Sequence, residues 1–357
     1  MDQTFFIAFI AVLIAVAIAW GGRILPREKW QILATLPLEK GDNGRWKGLN
    51  LTYYGLFSAN AYTFAVVIFF ILGASADIPA QKLCIFILAL LGVCMPAAKI
   101  VARIVEKKRG TLTVGGAVFV GTLVAPWLIC LMNLIPGHAP GHALGQTQGG
   151  QMKVTILLSA ICVSYAYGEG LGRLACISFG CCYGKPIHLC SPWVQKLFGH
   201  FYLVFTGATK KIAYASGLEG ERIIPIQIIT AILYSISALV GTGLYLNGYF
   251  ATAFMETLVV TQVWRIASEF FRADFRGGFK ITPYQLMAAG ALVYSLGIVL
   301  VFPAQESVVR LGLGLRELWT PWMLVFVESI WIMTFVYTGR STVTGAQISF
   351  HVEKGKI

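Results

Sequence analysis

The sequence has few charged residues, and acidic residues are the scarcest among them. Only 12% of its 357 residues are charged, with 16 Asp and Glu against 28 Lys and Arg. Soluble globular domains carry about 25% charged residues, about twice the fraction in this chain. In addition, 57% of the residues are apolar. With a mean hydropathy of +0.72, the composition excludes an ordinary soluble domain and is typical of a polytopic helical membrane protein.

Two further features are missing from the sequence. No basic segment precedes the first apolar run, and Trp20-Gly21-Gly22-Arg23 is a poor cleavage site. We therefore expect residues 5–20 to be a retained helix and not a signal peptide. The chain also has neither a basic helix nor an RNA-binding signature, so its net charge of +12 is expected to lie in loops, and nucleic acid is excluded as a partner.

Apolar segments dominate what is present. Each is about 20 residues long, which is enough to cross a bilayer. We therefore expect an all-α polytopic integral membrane protein with about nine transmembrane helices and with termini on opposite sides. The stretch 178–223 is too small and too Gly-rich for an independent domain, so it is predicted to form a cap over the helix ends. The nine segments are 4–20, 52–74, 83–104, 112–134, 154–176, 224–246, 250–271, 284–302 and 319–338.

Basic residues are unequally divided between the two sides of this predicted bundle. One side has only Lys82, Lys153, Arg310 and Arg316, and the loops of the other side hold the rest. The positive-inside rule then predicts an external N-terminus, a cytosolic C-terminus and a cytosolic face for the loop after residue 176. Cysteines on that face would stay reduced.

One stretch, 168–186, places polar residues where an apolar segment leaves the membrane. Buried backbone and charged side chains at that depth must face protein or water, so the stretch predicts a functional site. Its charged residues and cysteines are Glu169, Arg173, Cys176, Cys181, Cys182 and Lys185.

Two more motifs lie on the same side. Arg265, Glu269 and Arg272 are spaced four and three residues apart, so they share one face of a helix end. The paired glycines Gly115 and Gly116 open another helix and would let a ligand approach backbone N–H groups. Pro225 and Gln227 begin the next helix nearby and add an amide at the interface.

The arginines have two interpretations. Arg173 and Arg265 could bind a phosphodiester bidentately, and a lipid headgroup is the phosphate available at this depth. Such a pair would also stabilise charge that develops on a departing phosphate. Alternatively, the two arginines pair with Glu169 and Glu269 and serve only the structure.

The adjacent cysteines, Cys181 and Cys182, leave three possibilities open. They could be nucleophiles, if Arg173 and Lys185 lower their pKa. They could be redox-active, or they could simply pack in a Gly-rich turn. Because the chain has no Cys-x-x-Cys pair, we expect neither a bound metal ion nor another cofactor.

Two other titratable residues are candidates for the same site. His188, in the predicted cap, could act as a base near neutral pH. Glu256 falls within an apolar run, where an acid is costly unless paired, and it is predicted to form one wall of a polar cavity.

Taken in order, these motifs resemble the signature of prolipoprotein diacylglyceryl transferases, over about residues 52–301. That family consists of integral-membrane enzymes that transfer the diacylglyceryl group of phosphatidylglycerol to a cysteine thiol of a lipoprotein precursor and release glycerol phosphate. The resemblance implies that Arg173 and Arg265 hold the phospholipid phosphate. It also implies a plasma (bacterial inner) membrane location with an exoplasmic site. The matching positions are Gly115, Gly116, Gly172, Arg173, Leu174, Gly180, Tyr183, Gly184, Lys185, Pro186, Pro225, Gln227, Arg265, Glu269, Phe270, Phe271, Arg272, Tyr284, Gln285 and Leu286.

The chain also departs from the family at three positions. Cys176 stands where the family has Asn, Cys181 where it has Glu, and Val114 where it has His. An extra helix and basic loop (1–51) precede the transferase-like core (52–303), and an extra helix and tail (304–357) follow it. We therefore expect the scaffold and the phosphate-binding arginines to be shared and the acceptor to be changed.

The sequence thus predicts a glycerophospholipid-dependent transferase with a phosphatidylglycerol-like donor and a thiol acceptor on a protein or small molecule. An authentic lipoprotein diacylglyceryl transferase is one alternative. A non-catalytic lipid-binding or lipid-translocating protein, with Glu256 and Glu328 along a conduit, is another, and a thiol oxidoreductase using Cys181 and Cys182 is a third. The predicted catalytic residues are Arg173, Arg265, Cys181, Glu269 and His188. The predicted substrate-binding residues are Gly115, Gly116, Glu169, Cys176, Cys182, Tyr183, Lys185, Pro225, Gln227, Glu256 and Arg272.

Overall fold

The computed structural model describes residues 2–107, 113–134, 152–274, 281–302, 306–341, 347–348 and 353–356, and helices dominate this part of the chain. The helices are α1 (Gln3–Ile24), α2 (Tyr53–Ser75), α3 (Ala80–Val105), α4 (Val114–Leu134), α5 (Val154–Phe179), α6 (Pro192–Phe198), α7 (Lys211–Ser216), α8 (Ile226–Leu246), α9 (Phe250–Glu269), α10 (Pro283–Val301), α11 (Leu311–Leu318) and α12 (Pro321–Gly339). The strands are β1 (Ile32–Lys40), β2 (Trp46–Thr52), β3 (Leu203–Val204), β4 (Arg222–Ile223), β5 (Arg340–Ser341) and β6 (Gln347–Ile348).

The expected helical membrane architecture is confirmed. Among the described residues, eight helices are long and apolar enough to cross a membrane: α1 to α5, α8, α10 and α12. The predicted segment 250–271 corresponds to α9, which is 20 residues long. It is not among the eight, and it carries Glu256, Arg265 and Glu269, which make it less apolar than the others.

The bundle is built around α5, which is the most deeply buried of the long helices. It packs against α2, α8 and α9, while α4 and α9 both contact α10. The N-terminal helix α1 lies against α8 and α5, and α12 packs against α2. The long helices α1 and α12 thus cover different parts of the bundle surface.

The structure adds a small sheet to the expected all-α fold. Strands β1 and β2 form an antiparallel hairpin, with Lys40 opposite Trp46 and Gly44 at φ +74° in the turn. β2 also pairs with β5 and β6. At the start of α2, Thr52 donates a hydrogen bond to the carbonyl of Gly339, 2.9 Å away. The region after α1 is therefore joined to the region after α12.

The predicted cap, 178–223, contains only short elements. α6, α7 and the two-residue strands β3 and β4 are joined by turns. Thr206 donates its backbone N–H to the carbonyl of Pro26, and the side chain of Lys210 reaches the carbonyl of Leu25. These contacts hold the cap against the end of α1. At the same end of the bundle lie the last turns of α5 and α9 and the first turns of α4, α8 and α10.

Candidate functional site

Two arginines from different helices meet at one carboxylate. Arg173 lies one turn after Glu169 on α5 and donates through Nη2 to Glu169 Oε1. On α9, Nη2 of Arg265 lies 3.3 Å from the same oxygen and donates to the hydroxyl of Tyr165 at 2.6 Å. The exposed fractions of the side chains are only 13%, 11% and 3% for Arg173, Arg265 and Glu169. One carboxylate oxygen therefore contacts both buried guanidinium groups, and the Glu269 carboxylate on α9 also interacts electrostatically with Arg265.

This arginine pair, Arg173 and Arg265, retains unused hydrogen-bonding groups. The Nε of each arginine and Oε2 of Glu169 are buried without a hydrogen-bond partner among the described residues. Buried polar groups in folded proteins are almost always satisfied, so such a concentration calls for an explanation. The Nε and one Nη of an arginine form the edge that binds phosphate or carboxylate bidentately. The arrangement can therefore accept an anion.

The first turn of α4 lies directly beside Arg265. A Cβ at Gly115 would be 3.2 Å from Nη1 of Arg265 and 2.7 Å from Cδ1 of Tyr284, so only glycine permits this approach. The Tyr284 hydroxyl donates to Oε1 of Glu106 at 2.9 Å. A Cβ at Gly116 would instead be 2.6 Å from Val101 on α3, so this glycine serves helix packing.

A second charged group follows at the end of α9. Arg272 donates to both carboxylate oxygens of Asp274, at 2.8 and 3.0 Å. Oε1 of Glu269 lies 3.9 Å from Arg272 Nε, and Glu269 Oε2 is buried without a partner in the described part of the chain. Burial opposes the charge on Arg272, but Asp274 and Glu269 raise its pKa above the ordinary value, so it stays a cation. Here two acids share one arginine, the reverse of the arginine pair.

The cysteines converge because of the way in which α5 ends. Gly180 adopts the left-handed conformation, with φ +68°, and its N–H bonds to the carbonyl of Ile177 at 3.2 Å. The N–H of Cys181 bonds to the carbonyl of Cys176 at 3.0 Å. These two bonds define a Schellman motif, which folds the residue after the glycine back onto the last turn of the helix. Cys182, with φ +56°, continues the turn.

The result is a thiol cluster: the Sγ atoms of Cys176, Cys181 and Cys182 all lie within 4.8 Å of one another. Hydrogen bonds with the other two thiols, together with burial, raise the pKa of Cys181 well above its ordinary value. A nucleophilic Cys181 was expected to need a lowered pKa. The side chain of Lys185, one of its two predicted activators, is exposed.

Backbone hydrogen bonds hold both sides of the loop after α5, residues 180–186, which carries Cys181 and Cys182. The N–H of Lys185 donates to Phe271 O at 2.8 Å, and the carbonyl of Tyr183 accepts from Ala273 N at 3.1 Å. On the other side, Lys185 O accepts from Ile224 N at 3.0 Å. The buried Gln227, just after Pro225 at the start of α8, donates to Cys181 O at 2.9 Å. These predicted site residues therefore position the loop.

Three of the residues singled out in the sequence lie elsewhere. His188 is exposed in the cap, with Nδ1 3.5 Å from Oε2 of Glu221. Glu256 accepts from Ser237 and Thr257 at 2.9 and 3.0 Å, about 13 Å along α9 from Arg265. Glu328 is exposed on α12. The structure thus does not bring Glu256 or His188 to the arginine pair.

Several side chains that contact the site were not predicted from the sequence. Tyr165 lies four residues before Glu169 on the same helix face, so its spacing could have identified it. Asp274 follows Arg272 by two residues. Lys211, in α7, is half-buried and interacts electrostatically with Cys181 and Cys182, but nothing in its local sequence indicates this. No protein-family model matches the chain, and no curated protein matches it.

Proposed function

We propose that this protein is a membrane enzyme that binds a glycerophospholipid by its phosphate between Arg173 and Arg265 and transfers the diacylglyceryl group to a thiol. One observation carries the proposal: both buried guanidinium groups share a single oxygen of Glu169. A phosphodiester monoanion would interact favourably with both guanidinium groups and would accept hydrogen bonds from their unpaired Nε groups.

The chemistry of transfer favours such an arrangement. The acceptor thiol loses its proton and its sulfur forms a bond to the glycerol carbon, while the bond from that carbon to the phosphate oxygen breaks. Glycerol phosphate leaves, and its phosphate changes from a diester monoanion toward a monoester dianion. Two fixed guanidinium groups stabilise the second form more than the first, and only such differential stabilisation accelerates a reaction.

Among the predicted catalytic residues other than the two arginines, Glu269 fits the role of base in this step best. It is one turn from Arg265, only 4% of its side chain is exposed, and one of its carboxylate oxygens has no partner in the described region. His188 lies on the exposed surface of the cap, and the Cys181 thiol has a raised pKa. Glu269 is therefore the group that would take the proton of the acceptor thiol.

The proposal includes α9 as a ninth transmembrane helix. Its polar side chains pair with groups on other helices, as Glu256 does with Ser237 and Arg265 with Tyr165. Satisfied polar groups of this kind are compatible with a transmembrane position. The bundle would then lie in a plasma (bacterial inner) membrane, with the site on the more basic, cytosolic side.

The test uses the full-length protein in phosphatidylglycerol vesicles with a cysteine-containing peptide or glutathione as acceptor. We expect Arg173→Ala and Arg265→Ala each to slow the release of glycerol phosphate by about 100-fold or more. Arg222→Ala is the matched control, because this cap arginine lies over the ring of Tyr202 and outside the site. It should keep the wild-type rate.

Full release by both site variants would refute the phosphate-binding role of the two arginines. A different result would favour a lipid-binding or lipid-translocating protein. In that case the wild-type protein would bind phosphatidylglycerol in an arginine-dependent way but would yield neither glycerol phosphate nor a lipid-modified thiol.

A further inference from the structure

The thiol cluster has the dimensions of a metal site. Its three sulfur atoms lie within 4.8 Å of one another. Zinc binds thiolate sulfur at about 2.3 Å, so two ligands of a tetrahedral site are separated by roughly 3.8 Å. Closing the cluster around an ion therefore needs shifts of about 1 Å or less in each pair, within the reach of side-chain rotation.

The backbone holds these side chains in place before any ion binds. The Schellman motif fixes Cys181 against Cys176, and Gln227 holds the carbonyl of Cys181. Cys182 adopts a positive φ, a conformation disfavoured for residues other than glycine, and such residues concentrate at functional sites. The carbonyl of Tyr183 accepts from Ala273 N, and Lys185 donates to Phe271 O and accepts from Ile224 N, so the residues that follow the cluster are restrained as well.

The surroundings suit a negatively charged metal–thiolate group. Three thiolates around Zn²⁺ carry a net charge of −1. Arg173 interacts electrostatically with Cys176, Arg272 with Cys182, and Lys211 with both Cys181 and Cys182. Tyr54 contributes a phenol near all three sulfurs. Thiols are also the ligands that select zinc and other soft cations over magnesium or calcium.

We propose that Cys176, Cys181 and Cys182 bind a zinc ion whose fourth coordination position is open to a water molecule or a thiolate. Three protein ligands with an open position are typical of zinc sites that react with a bound ligand, whereas structural sites have four. The inference stands on the thiol cluster and does not depend on lipid transfer. A thiolate bound at the fourth position would nevertheless lie next to Arg173, and therefore next to the arginine pair.

Metal analysis of the full-length protein, purified in detergent without chelator, tests this proposal. We expect about one zinc ion per chain, and loss of that zinc in Cys176→Ser, Cys181→Ser and Cys182→Ser. Cys190→Ser is the matched control, because this thiol of the same loop donates to the carbonyl of Pro186 at 3.4 Å and lies outside the cluster. It should retain the wild-type zinc content.

A second measurement covers the case in which a serine variant fails to fold. Wild-type protein stripped of zinc and titrated with Co²⁺ should develop the near-ultraviolet absorption of sulfur-to-cobalt charge transfer. Cys182→His should restore binding lost in Cys182→Ser, with a weaker charge-transfer band because one sulfur ligand is replaced by nitrogen.

Three results would overturn the inference. The first is wild-type protein that contains no zinc as purified and that, after stripping, shows no charge-transfer band with Co²⁺. Another is zinc retained equally by a variant lacking all three cysteines, which would mean an adventitious ion bound elsewhere. The third is a disulfide between two of the three cysteines in protein prepared under reducing conditions, which would identify a redox pair.

Discussion

Lys210 is a residue of the cap whose cationic side chain is almost completely buried. Its Nζ donates to the carbonyl oxygens of Leu25 and Ser178, at 3.0 and 2.7 Å. Both carbonyls belong to helix ends, where the last four C=O groups lack intrahelical partners. One side chain therefore caps α1 and α5 together and fixes the N-terminal helix beside the site. Burial lowers the pKa of Lys210 to about 8.

This shift predicts a specific pH dependence of stability. Between pH 8 and pH 10.5 the folded protein has lost the Lys210 proton, whereas the unfolded chain still holds it. Because the unfolded state then binds more protons, the free energy of unfolding rises with pH across this window. Lys210→Met should abolish this rise and should lower stability by about 2 kcal/mol, since the carbonyl of Leu25 loses its donor and the carbonyl of Ser178 keeps only the longer bond from Gln31.

Thermal unfolding midpoints in detergent, measured across that window, provide the check. Lys196→Met, which removes an exposed lysine of α6, is the control and should follow the wild-type curve. An unchanged pH dependence in Lys210→Met would show that another group causes the rise.

Local spacing predicted some contacts of the site and missed others for a physical reason. The pairing of Arg173 with Glu169 follows from their separation of four residues on one helix. The same logic, applied to α9, suggested Glu269 as the partner of Arg265. In the structure Arg265 interacts electrostatically with Glu269 and also contacts Glu169 on α5 at 3.3 Å, a contact that depends on the packing of α9 against α5. Lys211 reaches the thiols through the fold of the cap, which no short-range pattern encodes.

At the scale of secondary-structure elements, the end of α5 joins the arginine pair to the thiol cluster. Arg173 lies in its penultimate turn, and Gly180 reverses the chain so that Cys181 meets Cys176. A Cβ at Gly180 would lie 3.0 Å from Cβ of Lys210, and the residue has φ +68°. The position thus needs glycine both for its backbone conformation and for the contact with the cap.

Gly180→Ala should therefore have two effects. The left-handed conformation costs a residue with a side chain about 1 kcal/mol, and the contact with Lys210 should displace the turn. We expect a lower unfolding temperature. We also expect faster alkylation of Cys181 by a thiol reagent, with the extent of alkylation measured by mass spectrometry.

A matched variant separates these two effects. Gly217 ends α7 with φ +62°, and nothing lies within 4 Å of the Cβ that alanine would add. Gly217→Ala should show the backbone cost without the change in Cys181 reactivity. Equal alkylation rates in the two variants would mean that the Schellman turn does not control access to the thiols.

Helices and strands differ in how well the sequence predicted them. Apolar length placed the long helices closely; for example, the segment 83–104 corresponds to α3 (Ala80–Val105). The hairpin β1–β2 was expected to be only a basic loop. Its second strand is also paired with β5, almost three hundred residues later, and such long-range pairing leaves little local signal.

At the scale of the whole molecule, the site, the sheet and the cap all lie at one end of the bundle. The loops at this end also carry most of the basic residues, whereas the other end has only Lys82, Lys153, Arg310 and Arg316. The positive-inside rule therefore predicts that the site faces the cytosol. The resemblance to diacylglyceryl transferases implies the outer face, so the two arguments make opposite predictions about orientation.

Cysteine labelling in intact cells distinguishes a cytosolic site from a site on the outer face. Leu189 in the cap is 72% exposed, and Tyr249, between α8 and α9 at the other end, is 62% exposed. With a membrane-impermeant thiol reagent, we expect Tyr249→Cys to react in intact cells and Leu189→Cys to react only after permeabilisation. Wild-type protein gives the background from the eight native cysteines. The reverse pattern would place the arginine pair on the outer face, and an exported lipoprotein would then be the acceptor that fits it.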